Sequence, residues 1–315
     1  GLYHPEGYNI YTLILKDPSN INLLFISGHD FDQALLADIN NLGYFNEDSN
    51  YMVTRIVAIL SFVTFGKFLA INLFFSMISF TGVWRLYRFF YEQYPQMHKQ
   101  FAIAILYLPT FVFWSSGILK DPLCTGALGW ITYSLYAIFY SKKNPIKYII
   151  ITFVFGYLLV ILKVYIIVSY LPFFLLFLIL KNVTLIKNKA VKVMLVSAFF
   201  IGSIFGFISI TSAMQKALGN FASKGVTQTI KTYQVNYENQ AGSATSNFSL
   251  GVEFDGTVNS LARMAPAAVV ATLFRPYIWE SKKLSTLLSS LESLAMMLFT
   301  IFVLLRVGIK KSILT

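Results

Sequence analysis

Lys163 sits inside "YLLVILKVYIIVSYL", an apolar run with no other charged residue. An ionised side chain in hydrocarbon costs about 2.5–3.5 kcal/mol even on a lenient insertion scale, so a lysine held there is a candidate for function. A cation so placed suits a lipid phosphate or pyrophosphate. The plainer reading is that its four-carbon stem snorkels to the headgroups. "NEDSNY", residues 46–51, sets Glu47 beside Asp48 ahead of another apolar segment. A carboxylate at a membrane surface is suited to take the proton from an attacking hydroxyl. The same residues would also cap a helix starting near Tyr51, with Asp48 or Ser49 at its N-terminus. In "WSSGILKDPL", residues 114–123, Lys120 and Asp121 lie between Gly117 and Pro122. That spacing reads as a turn whose charges either pair, start the next helix, or join a site.

Three further features bear on chemistry. "LFRPYIWE", 273–280, puts Arg275 among Phe274, Tyr277 and Trp279. It reads as a guanidinium fork for phosphate or as part of an aromatic interface belt. Glu292 falls inside the last apolar run, where an acid must be protonated, paired or cavity-facing, with Ser289, Ser290 and Ser293 as nearby polar partners. Asp30 and Asp32 in "GHDFDQ" have the hard oxygen ligands a divalent cation takes, the one cofactor the sequence suggests, although two acids in a polar loop are usually only solvated. His4, His29 and His98 lack metal-ligand spacing, and the single Cys124 supports neither a disulfide nor a cysteine metal site. No glycine-rich nucleotide loop, HExxH, GxSxG or internal repeat is present.

These residues need a scaffold, and composition says which solvent it faces. Of 315 residues 56% are hydrophobic and 12% charged, too little polar surface to cover a soluble domain of this length. The expected fold is all-α, a polytopic transmembrane helical bundle with extracytoplasmic amphipathic helices and loops. Residues 1–66 form an extracytoplasmic loop with interfacial helices, 51–66 being too short and too charged for a span. Residues 67–212 hold spans at about 67–90, 101–117, 124–140 and 193–212. Within them 148–180, at 33 residues, is too long for one crossing and reads as a short hairpin with Lys163 at its tip. An extracytoplasmic loop, 213–283, precedes a last span and cytoplasmic end, 284–315. The opening and closing residues read as a fragment of a longer protein.

Charge tests this topology. The proposed cytoplasmic segments hold 13 of the 25 basic residues and one acid, Glu92, leaving 12 basic and 13 acidic residues elsewhere. The net charge of +11 thus reflects the positive-inside rule and calls for no nucleic acid. Glu47, Asp48, Lys120, Asp121, Lys163, Arg263 and Arg275 then share the opposite face.

In this order the features resemble the GT-C superfamily of integral-membrane glycosyltransferases, in particular bacterial proteins similar to dolichyl-phosphate-mannose-protein mannosyltransferases. The resemblance rests on "NEDSNY" as an acidic first-loop motif and on "LPTFVFWSSGILKDPL" and "FRPYIWE". It implies a bacterial inner-membrane enzyme that moves a sugar from a polyprenyl-phosphate carrier to an extracytoplasmic acceptor. Asp48 best matches the catalytic acid of that family, with Glu47 the alternative because the pair reads Glu-Asp here. By the resemblance Lys163 and Arg275 would contact the lipid phosphate; the residues themselves add Lys120 there, with Asp121 and Glu292 secondary and no resident metal. Two other readings stand beside it: a polysaccharide polymerase or transporter-like protein guiding the same anionic lipid, and a noncatalytic membrane subunit docking partners through 213–283.

Overall fold

Long apolar runs without strand-like alternation should fold as helices, since in lipid each backbone group must find its partner within the segment. In the computed structural model of the chain every regular element among the described residues is helical. The described residues are 3–25, 44, 47–141, 144–183, 191, 194, 197, 202, 255, 258–281 and 283–308. Most of the expected span at 193–212 and of the loop 213–283, and Asp30 and Asp32, lie outside them. Among the described residues three helices are long and apolar enough to cross a membrane, Phe68–Gln93, Pro145–Leu178 and Thr286–Val307. Their outward side chains, such as Leu69, Phe153 and Leu305, are 77–81% exposed, as lipid-facing residues are. These features mark an integral membrane protein. The chain divides into two compact units, Gly1–Ile210 and Thr211–Thr315.

The first unit opens with α1, Tyr3–Lys16, and a 3₁₀ segment, Pro18–Leu24, packed on α2, Asp48–Thr64. Gly7 lets α1 approach α2 closely: a Cβ there would lie 2.5 Å from Val57 Cγ1. Tyr51, fully buried, donates its hydroxyl to the Leu23 carbonyl at 2.6 Å. Tyr51→Phe would strand that buried carbonyl, so we expect a loss of about 1–3 kcal/mol. A thermal melt of the detergent-solubilised protein should show it as a lowered midpoint with unchanged helical content.

The long helix α3, Phe68–Gln93, packs against α6, Lys120–Tyr136, through glycine. A Cβ on Gly82 would meet the Gly126 carbonyl oxygen at 1.9 Å, and one on Gly129 the Gly82 oxygen at 2.0 Å. Small residues are how helices approach in lipid, where burying apolar surface gains little. Ser79 and Thr125 add a hydroxyl contact of 3.0 Å across the same seam. Between these helices the sequence suggests one span over 101–117, but two short helices occupy it, α4, His98–Leu106, and α5, Pro109–Trp114. Pro109 is the cause: it offers no N–H and holds Leu108 extended, at φ −67° and ψ 116°.

Helix α7, Pro145–Val183, breaks at Lys163, whose φ of −153° and ψ of 75° are not helical. A Cβ on Gly156 would touch Ile167 Cδ1 at 3.9 Å. In a straight helix eleven residues span about 16 Å, so the chain folds back. Both limbs return to the same stretch of α6, since the Tyr148 ring packs on that of Tyr133 while the Tyr170 hydroxyl meets that of Thr132 at 2.6 Å. Each limb is about 27–30 Å long at 1.5 Å per residue, close to one hydrocarbon thickness.

In the second unit α8, Val258–Phe274, and α9, Leu284–Val307, are joined through a 3₁₀ turn at Ile278–Glu280.

Candidate functional site

Three segments bring charged residues to one end of the first unit. The start of α2 supplies Glu47 and Asp48, the first turn of α6 supplies Lys120 and Asp121, and the fold-back of α7 supplies Lys163. Lys163 Nζ donates to Asp121 Oδ1 at 2.6 Å, the two side chains 24% and 40% exposed. The hairpin is therefore tied at its tip to the N-terminus of α6, where an acid also suits the helix dipole. Pro122, in the same first turn, removes an N–H that has no helical acceptor anyway.

Lys120 reaches back to α2, donating to Ser49 Oγ at 2.8 Å. It lies outside the three long spans, and burial pulls its ammonium below the usual lysine range. Glu47 opposes that shift and Lys163 adds to it, so the two lysines and the Glu47 carboxylate share one field. Glu47 occupies the N-cap position of α2 but makes no capping bond. Its carboxylate instead accepts from the Asn50 side-chain amide. Asp48 follows in the first helical turn, and its residue is exposed.

Tyr3 completes the cluster from α1. Its hydroxyl donates to Asn50 Oδ1 at 2.7 Å, and its ring stacks on Tyr44 at 4.6 Å. Burial first, then Tyr44, Glu47, Asp121 and Glu6, push its pKa up to about 12, so it remains a donor at neutral pH. Buried Glu6, through both oxygens, accepts from Tyr44 N–H at 3.2 Å. Sequence reasoning missed Tyr3, Glu6 and Asn50. Only Asn50 left a signal, at i+3 from Glu47 within "NEDSNY".

Four nominated residues thus meet, Glu47, Lys120, Asp121 and Lys163, with Asp48 adjacent in the chain. The other two belong to the second unit. There Arg275 pairs with Glu280 at 2.9 Å, both side chains 18% exposed, and its guanidinium lies 5.5 Å from the Tyr277 ring centroid. Ser293 donates to the Arg275 carbonyl at 3.2 Å, and Ser290 accepts from Ser281 at 2.9 Å. Two of the serines around Glu292 thus tie α9 to the turn before it. Glu292 itself is half-buried on α9. No group of three metal-ligating side chains occurs among the described residues.

The Lys163–Asp121 pair is testable by charge reversal. Asp121→Lys and Lys163→Asp should each lower the melting midpoint, and the double exchange should recover part of the loss. A coupling of about 0.5–3 kcal/mol in a double-mutant cycle is the range for groups in direct contact. The chain matches no protein-family model, no curated protein and no solved structure.

Proposed function

We propose that the chain belongs to a membrane glycosyltransferase that moves a sugar from a polyprenyl-phosphate carrier to an acceptor on the extracytoplasmic face of a bacterial inner membrane. What supports this reading is the meeting of Glu47, Lys120, Asp121 and Lys163, from three separate segments, at one end of a helical unit. The chemistry needs a base, a place for the leaving phosphate and a route for lipid. Glu47 takes the proton of the acceptor hydroxyl, whose oxygen forms the new bond to the anomeric carbon. The bond from that carbon to the phosphate oxygen breaks, and the charge left on the lipid phosphate falls to Lys120 and Lys163. Lys163 exchanges Asp121 for the phosphate when substrate enters.

Of the two acids the base role goes to Glu47, the one close enough to shift both Lys120 and Tyr3. Asp48, the better match in the resemblance, opens α2 and favours its dipole. Arg275 has Glu280 as its partner within the second unit and is assigned no step.

A second reading is favoured by the pairing itself. Both lysines already have partners, Ser49 and Asp121, as in a substrate-guiding polymerase or transporter where the pair acts as a releasable latch. The two differ in Glu47→Gln. Sugar transfer from a labelled polyprenyl-phosphate donor in proteoliposomes should be lost with that variant under the first reading. Transfer at the native rate would favour the second.

A further inference from the structure

At the opposite end of α3 and α6 a second polar layer surrounds Arg85. Its guanidinium carbon lies 4.5 Å from the Trp130 ring centroid and 5.2 Å from that of Tyr133. The platform is rigid: Trp130 stacks on Phe155 with ring centroids 5.7 Å apart and planes 4° off parallel, and its Nε1 donates to Thr81 Oγ1 at 3.1 Å. The neighbouring cation is neutralised, because Arg88 pairs with Glu92 at 2.8 Å and Tyr133 donates to the same carboxylate oxygen at 2.9 Å. Arg85 has no such partner among the described residues; what holds it is the two aromatic faces, and the residue is half-buried.

A guanidinium held by ring faces, with no hydrogen-bonded partner among the described residues, keeps N–H donors for a ligand, and their fork matches two oxygens of a phosphate. Depth favours a lipid source. Trp84, Tyr87 and Tyr91 follow one another along α3 with ring centroids 5.4 and 6.0 Å apart, and Trp84 and Tyr91 are each 43% exposed. Aromatic belts are enriched at headgroup level, and Arg85 lies between Trp84 and Tyr87 in this one. About 24 Å of apolar helix separates this belt from Phe68, near one hydrocarbon thickness.

We propose that Arg85, held over the rings of Trp130 and Tyr133, binds the phosphate of an anionic phospholipid headgroup. The site is separate from the Lys163 cluster and does not depend on the transferase reading.

The test is native mass spectrometry of the full chain released from nanodiscs of phosphatidylcholine with one fifth phosphatidylglycerol, counting retained lipids. The native protein should retain phosphatidylglycerol preferentially. Arg85→Gln should lower that preference by about tenfold or more, the scale of a charge-assisted bidentate contact. Arg85→Lys keeps the charge but not the planar fork and should retain only part of the preference, which decides the matter if the glutamine variant fails to fold. An unchanged preference in both variants would overturn the proposal. So would loss of the retained lipid on adding millimolar inorganic phosphate, which would assign the site to a free anion.

Discussion

If the proposed transfer is right, Glu47→Gln should lower sugar transfer by about 10²- to 10⁴-fold, the usual loss when a general base is removed. Asp48→Asn, one residue on, should leave most of the activity. The contrast is sharp because the two side chains are neighbours of equal charge, so a change in net field alone would affect both alike. Glu47 bonds to Asn50 and lies in the field of Lys120 and Tyr3. The glutamine amide would keep the size and much of the hydrogen bonding, so folding should hold, and circular dichroism with a melt checks that it does. Steady-state rates with a labelled polyprenyl-phosphate sugar separate the two variants. Equal rates for Glu47→Gln and the native protein would remove Glu47 from the chemistry.

Gly82→Leu should produce the largest structural loss. The added Cβ alone would lie 1.9 Å from the Gly126 carbonyl oxygen, a backbone atom that cannot rotate away. Helices α3 and α6 must separate, and the first turn of α6 carries Lys120 and Asp121 with it. Overpacking of this kind costs about 1–3 kcal/mol and more where backbone must shift. Gly129→Leu should act alike from the facing helix. Gly156→Ala is the control, since its Cβ would meet only Ile167 Cδ1 at an ordinary 3.9 Å. Melting midpoints and gel-filtration profiles should show the first two variants destabilised or aggregated and the control unchanged. A native midpoint for Gly82→Leu would mean that the seam is not close-packed.

Part of this was legible in the sequence, for physical reasons that differ by element. The helices containing Phe68–Gln93 and Thr286–Val307 are apolar over a membrane thickness, which composition alone reveals. The break at Lys163 was marked by a charge that hydrocarbon does not accept. Apolarity misled over 101–117, because hydropathy does not register that Pro109 stops the helix. The seam was visible only as "TGALG" in α6, with its partner Gly82 more than forty residues earlier. In the site, Lys163 and Asp121 were each singled out but their pairing was not, because the contact depends on the α7 fold-back. Tyr3 carried no signal at all, since its bond to Asn50 joins residues 47 positions apart.

The central claim is that Lys120 and Lys163 hold a lipid-linked phosphate while Glu47 acts on the acceptor. Equilibrium binding of a polyprenyl-phosphate sugar to the full chain in phosphatidylcholine nanodiscs tests it most directly. With Lys120→Ala and Lys163→Ala combined, affinity should fall by about tenfold or more, as expected for lost charge-assisted contacts, while Glu47→Gln binds as tightly as the native protein. Undiminished binding by the double lysine variant would contradict the account.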